Sequence, residues 1–164
     1  MPNLATNAAT APVVVREKRL VLRILGIWRE ARGDDLLPFA DALGVADMGE
    51  DADHVFMMDL LNPAGPRFTH VGAALRVGGW PPNQNALIAQ CPENSVLRLA
   101  GQPWQEIVNR GVPITRGGPG VNGDASVLYR SILAPLADRS GRISTILGAA
   151  NWRVVEAGET VPNA

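Results

Sequence analysis

The sequence predicts an α+β domain: an antiparallel five-stranded sheet with helices packed on one face, preceded by an N-terminal amphipathic helix. Three observations carry this. Between Arg16 and Arg32, at about 100° per residue, Leu20, Val21, Ile24, Leu25, Ile27, Trp28 and Ala31 fall within an arc of roughly 160°, which is helical periodicity. From Ile132 to Val155, "ILAPLADRSGRISTILGAANWRVV" alternates on both sides of a polar turn, Asp138 to Gly141, and so reads as a hairpin. Between these two ends the elements come in the order two strands, helices, one further strand, which suits an antiparallel sheet rather than alternating βαβ units.

Taken in order, residues 1–15, "MPNLATNAATAPVVV", are small and polar through Pro12 and read as a disordered lead. The helix of residues 16–33 ends at Gly33 with Asp34 and Asp35, and "LLPFADALG" suggests a short second helix stopped by Gly44. "HVFMMDLLN" is an apolar strand closed by the turn "NPAGP", with "RFTHVGAAL" as its hairpin partner. "VGGWPPNQNALIAQCP" has too many breakers for a long element and reads as loops and short helical turns. "ENSVLRLAG" and "PWQEIVNRG" are helical, with Pro103 tolerable in the first turn of the second and Gly111 placed to cap its end. "VPITR" begins a strand, "GGPGVNG" turns, and the long hairpin completes a domain over residues 34–155, leaving 156–164 as a flexible tail.

One strand is unusual. Along one face of the last hairpin stand Ile146, Gly148, Ala150 and Trp152, where bulky β-branched residues are the rule on a core-facing surface. The small pair leaves room for a bound molecule or for the close approach of a helix.

Bulk properties bound the function. A chain of 164 residues is long enough for one core without disulfides or metals. The net charge of −1 has both signs interspersed, so no basic stripe points to nucleic acid, even though every basic residue but Lys18 is arginine. A single cysteine, Cys91, excludes an intramolecular disulfide and fits a reducing compartment, and the first 15 residues contain neither a signal peptide nor a membrane anchor. The expectation is a cytoplasmic protein with no membrane contact.

Several stretches invite chemistry, each with a plainer competitor. "GPGVNG", Gly118 to Gly123, matches the dinucleotide fingerprint in letters. That motif needs a helix to follow and receive the pyrophosphate, whereas "DASVLYRSIL" is strand-like, so a glycine-rich β-turn is expected. Cys91 sits in a Pro-flanked loop with no histidine placed beside it, which argues against a nucleophile. His70 in mid-strand and His54 at a strand start could ligate haem iron, but lone strand histidines are more often structural. Asp47, Glu50, Asp51 and Asp53 lack the spacing of a calcium loop and read as a solvated loop, and Met57 and Met58 read as core filling.

The stretches "RILGIWREARGDDLLPFADAL", "RFTHVGAAL", "WQEIVNRGVPI" and above all "YRSILAPLADRSGRISTILGAANW" resemble the PAS superfamily, in particular the bacterial branch in which a PAS domain stands nearly alone behind an N-terminal helix. The resemblance runs from about Leu22 to Val155. It implies a non-catalytic sensory or protein-interaction module with no kinase, cyclase or DNA-binding segment attached, whose output passes through another signalling protein. It also implies a cavity between helices and sheet, with His70, Trp80, Gly148 and Ala150 on its wall. That cavity is either closed by side chains or holds a small molecule, haem being one alternative; the cofactor is unknown, because "VGGWPPNQNALIAQCP" and His70 depart from the usual pattern. Finally, the wide apolar arc of the first helix asks for two surfaces. The resemblance points to a homodimer in which Leu20, Ile24, Ile27 and Trp28 meet their counterparts, the alternative being that the helix folds back over its own sheet.

Overall fold

The computed structural model describes residues 19–76, 80–81 and 85–161; the lead and residues 77–79 and 82–84 of the breaker-rich segment lie outside these. Five strands, β1 (Val55–Asp59), β2 (Arg67–Val71), β3 (Ile114–Asn122), β4 (Ala125–Ala137) and β5 (Ile143–Val154), form one antiparallel sheet in the order β2-β1-β5-β4-β3. The five-stranded antiparallel sheet is the one the sequence predicted. Two short helices in the connection from β2 to β3, α2 (Val96–Gly101) and α3 (Trp104–Arg110), contribute to the core on one face of the sheet. The leading helix α1 (Leu20–Arg32) packs on the opposite face.

Strand alternation divides the apolar residues between two cores. Val127, Tyr129, Leu133, Ile146 and Ala150 face α2 and α3 together with Phe56, Met58 and Phe68. Ile132, Ala134, Leu136, Leu147 and Ala149 face α1. Both faces of the middle of β4 and of β5 are buried, so these stretches are continuous apolar runs and not the alternation expected of them.

On α1, Leu20, Ile24 and Trp28 are spaced four apart and form one buried stripe on the chain's own sheet, which is the alternative the wide arc allowed. Ile27 is only partly buried, at the side of that stripe. Two polar contacts fix the helix: the Trp28 indole N–H donates to the carbonyl of Pro135 at 2.9 Å, and Arg23 grips Asp51 with two hydrogen bonds of 2.9 and 2.8 Å. Asp51 lies in a kinked 3-10 segment, Val45–His54, and is 7% exposed, so the solvated-loop reading fails for this residue.

Residues 36–43 are not helical. Pro38 disfavours helical geometry at Leu37, and a single bridge at Phe39 ties the segment to the end of β4, where the Ala40 amide donates to Ala137 at 2.8 Å and Ala137 donates back to Pro38 at 2.9 Å, before residues 40–42 turn away. Since β3 begins pairing only at Leu133, β4 has an open edge beyond it, and this strap covers that edge. The "GGPG" run is likewise not a turn but the middle of edge strand β3, a position where proline is admissible. A Cβ at Gly120 would lie 3.0 Å from Leu99 and 3.3 Å from the Asn94 carbonyl, so glycine there permits the close crossing of α2. The reversal itself is at Gly123, φ 60°.

The β4–β5 turn is organised by Asp138. Its carboxylate accepts from the Ser140 hydroxyl at 2.6 Å and from the amides of Ser140 and Arg142, and Gly141 takes φ 87°. The Ser140 hydroxyl is the main reason its pKa falls to about 2 from an ordinary 3.8. A depressed carboxylate stabilises above its unfolded pKa, so the turn's contribution is expected to be complete above about pH 4 and to fade as pH falls towards 2. Acid titration of wild type against Asp138→Asn checks this: if the two curves run parallel between pH 4 and 2, the carboxylate does not hold the turn.

Candidate functional site

The interior between α2, α3 and the sheet is where the cavity was expected, and its centre is the pairing of β1 with β5. Gly148 lies directly opposite Phe56 in register. A Cβ built on Gly148 would stand 2.1 Å from the tip of the Phe56 ring, so the ring itself occupies the space that the missing side chain leaves. Phe56 is fully buried and meets Phe68 edge-on at 5.8 Å, and Phe68 meets Trp80 edge-on at 5.7 Å. Such T-shaped pairs add about 0.5–1.5 kcal/mol each beyond burial. Of the four residues expected on the cavity wall, the structure brings Trp80, Gly148 and Ala150 to this interior, as part of a packed aromatic ladder.

The fourth, His70, is on the other side of the sheet. A bulge between Met57 and Met58 shifts the β1–β2 register, so that Phe68 and Val71 both face the interior while His70 pairs with Met57, which packs towards α1. Its Nε2 is buried without a hydrogen-bond partner among the described residues. In this register His70 does not reach the interior, which corrects its expected place on the cavity wall. His54 lies near Trp152 instead, with ring centroids 5.9 Å apart.

Cys91 is buried, with its thiol 3.4 Å from the Ser95 hydroxyl. Burial pushes the thiol pKa up, so the thiolate needed for nucleophilic attack is disfavoured. The surrounding bonds are structural: Ser95 caps α2 by accepting from the Arg98 amide at 3.2 Å, and the Arg98 guanidinium donates to the carbonyls of Ile88, Ala89 and Cys91. Among the described residues no three His, Cys, Asp or Glu side chains come together to hold a metal. No helix among them is long and apolar enough to cross a membrane.

Two grooves flank α1 on its β3 side, a feature the sequence did not signal. One, of about 510 Å³, lies at the start of the helix beside Thr115, Arg116 and Arg130. The other, of about 690 Å³, lies at its end beside Arg29, Arg32, Arg110 and Val112.

No family model and no curated protein matches the sequence. Among solved structures, the chain is similar to the light-state structure of the blue-light photoreceptor Aureochrome1 LOV, at 15% identity and a TM-score of 0.43, over 63% of this chain and 88% of that one. It is also similar to a light-oxygen-voltage domain studied with a flavin analogue, at 18% identity and a TM-score of 0.38, over 63% of this chain and 78% of the other.

Proposed function

We propose that this protein is a non-catalytic PAS-type sensory or interaction module of the cytosol, working as a homodimer and delivering its output by contact with another signalling protein. The observation that supports this best is the ring of Phe56 in the space above Gly148, continued by Phe68 and Trp80. A domain whose interior is filled by its own aromatic side chains has its surfaces left with which to communicate. In such a mechanism a partner binds one arrangement of α1 on the sheet better than another, and the population follows the difference in affinity.

The competing reading is a carrier or sensor whose small molecule or haem sits in the interior. The purified protein is expected to be colourless, and haemin is expected to produce no sharp Soret shift that His70→Ala abolishes, since His70 lies on the far side of the sheet. A chromophore in the native spectrum, or a small molecule released on denaturation and seen by mass spectrometry, would turn the reading towards the ligand.

A further inference from the structure

At the end of α1 the chain carries four charges that remain unpaired within the described fold. Arg29 and Arg32, in the last turn, and Asp34 and Asp35, just beyond it, form no ion pair with one another or with any other described residue. Arg32 lays its guanidinium over the Trp28 ring at 5.3 Å, and its Nε is buried with no acceptor among the described residues. Immediately after the two aspartates stands Leu36, 92% exposed, the most solvent-exposed large apolar side chain described. The tip Asp34–Asp35–Leu36 is thus acidic with an apolar anchor. The groove it borders is the complement: Leu36 stands in its lining with Arg29, Arg32 and Arg110 and the apolar Leu25, Leu37, Val112 and Ile132, and no acidic residue is among them.

A surface that carries a protruding acidic-apolar tip next to a basic-apolar groove is self-complementary under a two-fold axis, because the tip of each protomer reaches the groove of the other. We infer that a second copy of this chain docks here, Leu36 entering the partner's groove while Asp34 and Asp35 meet its Arg29 and Arg32. This rests on the homodimer in the reading above and specifies the surface that forms it. The stripe Leu20, Ile24 and Trp28 is covered by the chain's own sheet, so it is not the surface that meets another copy. Exposed charge pairs at the rim set orientation, and the buried anchor supplies affinity.

The test is sedimentation of the full chain over a range of concentrations. Wild type is expected to dimerise, and Leu36→Asp is expected to raise the dissociation constant about tenfold or more with an unchanged melting temperature, since the side chain touches little in its own fold. Charge reversal gives the sharper arm. A chain carrying Asp34→Arg and Asp35→Arg, and a second carrying Arg29→Glu and Arg32→Glu, should each be monomeric, while their equimolar mixture should form a heterodimer, because both contacts are then restored with signs exchanged. If Leu36→Asp dimerises like wild type, the dimer stands and this surface is wrong. A wild type monomeric at all concentrations overturns both the surface and the homodimer. If each reversed chain is monomeric and the mixture stays so, the groove serves a different acidic protein segment and the inference fails.

Discussion

Replacing Gly148 by leucine is expected to lower stability by about 3 kcal/mol or more, at the upper end of overpacking costs, and to lower the melting temperature by about 6–12 °C for a chain of this length. The size follows from what the new atoms meet. Three atoms of the Phe56 ring lie within 2.6 Å of the position a Cβ would take, and that ring is wholly buried between β1, Phe68 and Gly148, so it has no open direction in which to retreat. Even Gly148→Ala is expected to be destabilising, although alanine is otherwise the better strand residue. The effect depends on the ring, and a double-mutant cycle isolates it: Phe56→Ala alone leaves a cavity, at about 3–5 kcal/mol, whereas Phe56→Ala with Gly148→Leu refills part of it and should cost less than the sum of the two single changes. Additive costs would mean that the ring and the glycine do not share one space. A Gly148→Leu protein melting like wild type would mean that this strand face is not packed at all.

The same pair shows where sequence reasoning succeeds and where it stops. The small residues of β5 stand out in the sequence, and the interior position of their face follows from alternation alone. What fills the gap does not, because Phe56 and Gly148 are 92 positions apart and meet only through the β1–β5 register. His70 fails for a related reason. Strict alternation puts residues 68 and 70 on one face, and a single extra residue at the bulge exchanges His70 for Val71. The helices α2 and α3 are legible in the sequence, the second with Pro103 and Gly111 at its ends, because end signals are local chemistry. The strap at residues 36–43 was not, since its hydrogen bonds go to Ala137, almost a hundred residues away, and tertiary pairing overrides the helical look of its apolar spacing.

The second large effect is expected at α1, and it discriminates between the two surfaces that its apolar arc can serve. Ile24 is fully buried against the sheet among Ile132, Leu147 and Ala149, whereas Ile27, three residues on, is only partly buried. Ile24→Asp removes the apolar contact and places a carboxylate among buried apolar side chains, and the two losses together are expected to exceed about 4 kcal/mol. Ile27→Asp is expected to cost less than about 1 kcal/mol, its carboxylate having access to water. Asp51→Ala should fall between them, at about 1–3 kcal/mol, because it removes the two carboxylate oxygens that accept from the part-buried Arg23 guanidinium. Chemical unfolding of the three variants gives the ranking directly. If Ile24 and Ile27 instead formed the centre of an interface between two helices, both changes would dissociate the protein and neither would unfold the monomer. Equal losses of stability at the two positions would contradict the packing of α1 on its own sheet, and with it the reason for placing the dimer contact at Leu36.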